Sequence, residues 1–426
     1  MLLNPWLLHC ALACATTAFS QQIHYQLDTL RLEQHVKLDE SEYSKDLVIS
    51  LHRALVNIES ISGNEQAIGE FLEAYLKSHN YTVERQYLDA RPTSLPVSRY
   101  KEQRAQKQRF NLLAYPGETP QTPVLLSSAF EPVPQNPCWR ANTDSEIVKH
   151  IDTVPPYYGY EIDKHDQIWG RGSVDAKACV ATQFHAIQEL IHSGEISPND
   201  VSLLFVVGEE TGGDGMRRAN DLEMEWQTVI FGEPTELKLA NGHKGILLFT
   251  VKAHGKAGHS GYPWLGRNAN HMLVPALLAL QNLELPSSEK FGNSTLNVGE
   301  ISGGVAANVI AEEAHGSIGI RIAAGCPETM KKLVSDAVKA VDEDLELTFL
   351  DGSYGPVDID SDVEGFETIS VNYGTDIPNL KGKHKRYLYG PGSILVAHSD
   401  HEHLKASDLL TAVEGYKRLV RSALKA

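Results

Sequence analysis

Two stretches, VSLLFVVGEETGG from Val201 and TVIFGEPTE from Thr228, constrain the fold of this chain more than any other feature. Each is a near-continuous apolar run that stops at glycine followed by acidic residues. A strand with one wet face alternates apolar and polar side chains. A strand that is apolar throughout is covered on both faces, as in a largely parallel sheet between helix layers. The covering helices are visible. KDLVISLHRALVNI and NEQAIGEFLEAYLKSH, between Ser44 and Lys77, repeat apolar residues at three and four. AKACVATQFHAIQELIHSG follows Asp175 and closes on Gly194, a common helix stop. YTVERQYL, RFNLLAYPG and PVLLSS add shorter strands, and a closing helix is expected near Ala406–Leu424. The expectation is an α/β domain.

Near Leu239 the texture changes. GILLFTVKAHGKAGH alternates, a helix is expected from Asn268 to Leu283, and STLNVGEISGG and AHGSIGIRIAAG read as strands. A helix from Pro327 to Val341 and a strand in LELTFLDG complete a strand-helix-strand-strand-helix-strand order. That is a compact α+β unit of ferredoxin-like order, expected as an insertion over 240–350. The α/β domain would then comprise residues 21–239 and 351–426.

Residues 1–20 carry an apolar stretch from Trp6 to Cys14, then small residues with Ala18 and Ser20 placed for cleavage before Gln21. That pattern is a secretory signal, although no Lys or Arg precedes the apolar stretch. The expected location is therefore extracellular. The sequons at Asn80 (NYT) and Asn293 (NST) fit that route as glycosylation sites. After removal of the signal, Cys138, Cys179 and Cys326 remain, too few and too scattered for a disulfide framework. A formal net charge of -17 argues against nucleic acid and anionic membranes as partners.

The acidic run-ends share one grammar. Glu209 and Glu210 follow one apolar run, Glu233 follows the other, and Asp175 opens a helix. Ligands of open α/β sheets bind outside the carboxyl ends of strands. Carboxylates gathered there repel one another unless a cation neutralises them. His150 (HID) and His398 (AHSDHEH) would add imidazole nitrogens, and carboxylates mixed with histidine suit Zn²⁺, or Mn²⁺ or Co²⁺. His401 and His403 compete with His398, which directly follows the apolar SILVA. His185 reads as packed or at a rim, and Lys383–Arg386 as a solvated loop.

With HIDTVP, GRGSVDAKACVA, GEETGG, GEPTE, HGKAGHSGYP and GPGSILVAHSDHEHL, the chain resembles the M20 family of metallopeptidases and amidohydrolases from about Lys45 to its C-terminus. That family includes aminoacylase, acetylornithine deacetylase and carboxypeptidases, and the likeness is greatest to secreted fungal members of carboxypeptidase type. The resemblance implies a zinc-peptidase-like catalytic domain, a mixed sheet flanked by helices, with an inserted lid or dimerisation domain. It implies two zinc ions per subunit. Asp175 would bridge them, His150 and Glu233 would complete one site, and Glu210 and His398 the other. Asp152 would fix the tautomer of His150, and Glu209 would be the general base. His259 and Asn308 would help hold the oxyanion, often from a partner subunit. Arg321, with Gly392 and Ser393 of GPGS, would hold a substrate carboxylate. Read without the resemblance, His259 and Arg321 are surface residues on strands.

The implied reaction is hydrolysis of a peptide or N-acyl amide beside a free carboxylate. Carboxypeptidase and N-acyl-amino-acid deacylase are not separated by these motifs, and the substrate would be a small peptide or N-acyl amino acid. A homodimer through the inserted domain is one expected assembly; a simple lid is the other. One feature is discordant. PVLLSS would run directly into HIDTVPP were it not for Ala129–Lys149, an aperiodic segment rich in proline. It reads as a surface loop or as translated intron, the second preferred because its removal leaves the motif in frame. If the segment displaced His150, the chain would instead be a metal-poor, non-catalytic binder of the same fold.

Overall fold

A six-stranded mixed sheet carries the first layer of the structure, a computed structural model that describes residues 40–88, 108–127, 151, 153–211 and 213–425. The signal segment 1–20, the segment 129–149, Cys138, His150 and Asp152 lie outside the described residues. The sheet comprises β1 (Thr82–Tyr87), β2 (Phe110–Tyr115), β3 (Val124–Ser127), β4 (Val201–Phe205), β5 (Thr228–Gly232) and β12 (Lys385–Tyr389). Their spatial order is β1-β2-β4-β3-β5-β12. The first two pairings are antiparallel, and the remaining three are parallel.

The apolar runs predict this arrangement because every residue of β2, β3, β4 and β5 is buried. Successive side chains leave opposite faces. Leu112, Leu126, Leu203, Ile230 and Tyr387 pack on one side with helices α1 (Glu40–Val56), α2 (Gln66–Ser78), α3 (Lys177–His192) and α7 (Ala406–Ala423). Leu113, Leu125, Leu204, Val229, Phe231 and Leu388 pack on the other. There they meet the short helix α4 (Asp214–Ala219) and a three-stranded sheet in which β6 (Leu239–His243) lies between Val357–Asp358 and β11 (Thr368–Val371). Truncating a fully buried side chain such as Ile230 would cost about 2–5 kcal/mol.

The second layered unit runs from Gly245 to Phe349. Strands β7 (Gly245–His254), β8 (Thr295–Gly303), β9 (Glu313–Ile322) and β10 (Glu346–Phe349) form an antiparallel sheet in the order β8-β9-β7-β10. Helices α5 (Ala269–Gln281) and α6 (Pro327–Val341) cover one face. This is the ferredoxin-like order expected from the pattern. Asn268 caps α5 through a 2.9 Å bond from the Asn270 amide, and Pro327 occupies the first turn of α6. Among the described residues no helix is long and apolar enough to cross a membrane.

Two local readings differ. β4 stops at Phe205, and Glu209–Thr211 form a 3-10 turn rather than a strand end. Lys383–Arg386 is not wholly a solvated loop, since Lys385 opens β12 and His384 is buried, its imidazole pushed down to about 4 by desolvation.

The chain beyond the discordant segment returns to the sheet. The Ile151 amide donates to the Val206 carbonyl at 2.9 Å, and Ile151 is buried. Ser127 stands opposite Leu204 in the parallel β3–β4 pairing. Counted as if Ser128 were followed directly by His150, Ile151 falls opposite Val207. In a parallel ladder that residue's amide bonds the carbonyl one position earlier, which is Val206. The register across the break is that of an uninterrupted strand.

Candidate metal centre

Three side chains from three separate segments converge at the carboxyl end of the large sheet. His398 Nε2 lies 3.0 Å from Glu210 Oε1 and 3.3 Å from Asp175 Oδ2, and one ligand atom from each of the three fits within 4.8 Å. Asp175 stands in the turns that lead into α3, Glu210 in the 3-10 turn beyond β4, and His398 in the turns before α7. SILVA is itself in irregular structure. The side chains of Asp175 and Glu210 are 6% and 5% exposed, whereas His398 is half exposed.

Two nearly buried carboxylates at this separation need positive charge. In the metal-free protein a proton on His398 supplies it: bonds to Asp175 and then Glu210 push the imidazole pKa up to about 11. Two hard oxygen donors and an imidazole nitrogen open toward solvent also suit a divalent cation of the zinc, cobalt or manganese type. His398 adopts φ +63°, the left-handed region that a non-glycine residue occupies at some cost. His401 and His403 go elsewhere. His401 pairs with Asp400 at 2.8 Å, and His403 stacks on Trp169 with centroids 4.3 Å apart. His185 is buried against Phe184.

Glu233 follows Gly232 at the end of β5. It is 1% exposed, and its amide donates to the Tyr389 carbonyl at 3.3 Å; it lies outside the 4.8 Å group. The GPGS segment is packed onto these loops. A Cβ at Gly390 would stand 2.4 Å from the Glu233 carbonyl oxygen, and one at Gly392 2.8 Å from Val174. Ser393 donates to Glu236 at 2.9 Å. Glu209 precedes Glu210 in the 3-10 turn, where consecutive side chains diverge by about 120°, so the two carboxylates are directed differently. The Glu209 charge reaches the buried phenols of Tyr354 and Tyr373 and helps to raise both; desolvation is the main cause.

Other predicted residues sit on the inserted unit. Gly258–His259 pairs antiparallel with Val309–Ile310, and the Ser260 amide donates to the Asn308 carbonyl at 3.0 Å. His259 and Asn308 are thus brought to each other, both exposed, and not into the Asp175–Glu210–His398 group. Arg321 ends β9 near the large domain. A Cβ at Gly374 would lie 3.4 Å from Arg321 Nη1 and 2.1 Å from Tyr354 Oη, so guanidinium and phenol share one small space. The two sequon asparagines, Asn80 and Asn293, are exposed.

The sequence reading overlooked Arg171 and Glu402, although both stand inside quoted motifs. They form a buried ion pair at 2.5 Å. Burial, then the Asp175 carboxylate, push the Glu402 carboxyl up, while amide bonds and Arg171 oppose the shift. The available signal was an arginine set among glycine and serine immediately before Asp175. Tyr354 and Tyr373 had no periodic or motif signal at all.

Comparison with known proteins places these features in context. A family model described as a peptidase dimerisation domain matches residues 241–347. A peptidase M20 domain-containing protein of Sordaria macrospora is 45% identical over 92% of this chain and 87% of its own. A protein of Arthroderma benhamiae named a probable carboxypeptidase is 42% identical over 93% of this chain and 88% of its own. Among solved structures, an M20 family metallo-carboxypeptidase from Sulfolobus solfataricus superposes with a TM-score of 0.59 at 15% identity, covering 91% of this chain and all of the other.

Proposed function

Because the chain belongs to the peptidase M20 family of hydrolytic enzymes, we propose that it is a secreted, metal-dependent carboxypeptidase-like hydrolase. It cleaves a peptide or N-acyl amide bond adjacent to a free carboxylate. The observation that carries the reading is the convergence of Asp175, Glu210 and His398 within 4.8 Å. The names of the fungal relatives and of the Sulfolobus metallo-carboxypeptidase agree with it.

Asp175 would be shared between two zinc ions, with His150 and Glu233 on one and Glu210 and His398 on the other; cobalt or manganese are the alternatives. Bound there, the metal pair would acidify a water and polarise the scissile carbonyl. Glu209 takes the proton of the attacking water and delivers it to the leaving nitrogen, since an amine departs poorly as its anion. Asp152 would fix the tautomer of His150, as the family resemblance implies. Arg321 binds the substrate carboxylate with its planar fork, and Gly392 and Ser393 would help to hold it. His259 and Asn308 stabilise the oxyanion, supplied by lid closure or by the partner in a homodimer.

The test is a panel of dipeptides, C-terminally amidated dipeptides and N-acyl amino acids, assayed before and after dialysis against chelator. The expected result is hydrolysis of substrates with a free carboxylate, lost on chelation and restored by Zn²⁺ or Co²⁺. Activity that survives complete metal removal would overturn the reading, and preference within the panel separates carboxypeptidase from deacylase.

A further inference from the structure

We propose that Arg171 and Glu402 act as a positioning clasp that holds the Asp175 and His398 loops at cation-binding separation. The inference rests on the reading of that cluster as a metal centre. Both residues are buried, at 2% and 3% exposure. One oxygen of Glu402 accepts from the amides of Val174 at 3.0 Å and Asp175 at 3.2 Å. Its other oxygen accepts from Arg171 Nη1 at 2.5 Å. Arg171 then donates through Nη2 to the His398 carbonyl at 3.3 Å and through Nε to the Pro156 carbonyl at 3.2 Å. One ion pair therefore ties together the backbone at Asp175, the backbone at His398 and the segment that follows Ile151.

Neither side chain supplies a ligand atom to the cluster. Each acts on the backbone of a residue that does, or of its neighbour. A desolvated ion pair is a weak source of stability compared with apolar packing. Its advantage is directional: charge-assisted bonds from a planar fork fix position and angle. The loops concerned need that control. Asp175 and His398 stand in turns with no strand ladder to place them, and His398 is held at φ +63°. Lysine in place of Arg171 would keep the charge and lose the fork.

The test compares the full-length chain with Glu402→Gln and Arg171→Lys. Affinity for Zn²⁺ and Co²⁺ is measured by competition with a chromophoric chelator, and the visible absorption of the Co²⁺ form reports coordination geometry. Both variants should keep the native circular dichroism spectrum, bind the ions about 10–100-fold more weakly, and show an altered Co²⁺ spectrum. Affinities within about threefold of the wild type, with an unchanged Co²⁺ spectrum, would overturn the clasp. Loss of the native fold in both variants would also overturn it, by assigning the pair to folding alone. A wild-type chain that binds neither ion would remove the metal reading, and the clasp with it.

Discussion

His398 shows how a single residue is placed by opposing demands. Its backbone is in a costly region, its ring reaches two carboxylates, and its carbonyl accepts from Arg171. Glu209 precedes Glu210 in the 3-10 turn and is the proton carrier of the proposed reaction. Glu209→Gln should retain bound metal and lose turnover by roughly 10²- to 10⁴-fold; metal analysis together with steady-state kinetics checks both halves. Gly374 is a second informative position, because any Cβ there collides with Tyr354 Oη. Gly374→Ala should displace the phenol and crowd Arg321. The expected outcome is a KM for free-carboxylate substrates raised by about 10–100-fold, the worth of a charged hydrogen bond, and little change for amidated ones.

At the scale of elements, the loops are held to the sheet by buried polar ties. His52 of α1 is fully buried and donates through Nε2 to the Ser173 carbonyl at 2.8 Å, two residues from Asp175. Burial pushes its pKa down to about 4 from 6.5, against the opposing pull of that bond. The unfolded chain therefore takes up the proton first. The stability due to neutral His52 is fully present above pH 6.5 and is lost as pH falls toward 4, by about 3 kcal/mol for this one group. His52→Asn should flatten the acid limb of a thermal-denaturation profile between those pH values while lowering stability at pH 7. The β3–β4 ladder carries a further expectation. Since Ile151 keeps the register of a continuous strand, joining Ser128 to His150 should leave the fold intact and Tm unchanged or raised. Closing a long loop has an entropic cost that the deletion removes.

At the scale of the whole molecule, the α+β unit presents apolar surface outward. Val274 and Leu278, four apart on α5, are each 58% exposed, and Ile301 on the edge strand β8 is 61% exposed. Helix α5 packs beside β8, so an open strand edge and an apolar helix stripe lie together. The region matched by the dimerisation-domain model contains both. A homodimer through this face is the proposed assembly, with a simple lid as the alternative. The pair Val274→Glu and Leu278→Glu should convert it to monomer in sedimentation velocity. If His259 and Asn308 act across subunits, activity should fall in step with dimer content.

Much of this was legible in one dimension. Apolar runs set the sheet and its two covered faces, period-2 and period-3.6 patterns marked the ferredoxin-like unit, and the acidic run-ends marked the rim where a site could form. These follow from local chain chemistry, because burial and helical or extended geometry depend on near neighbours in sequence. The preference for His398 over His401 and His403 was also legible, and the tertiary structure shows His398 meeting Asp175 and Glu210. Tertiary contacts alone placed Glu209 in a 3-10 turn and paired Arg171 with Glu402 across 231 positions. Those outcomes depend on where irregular loops come to rest. Loop positions are set by long-range contacts, whose partners leave no periodic trace in the sequence.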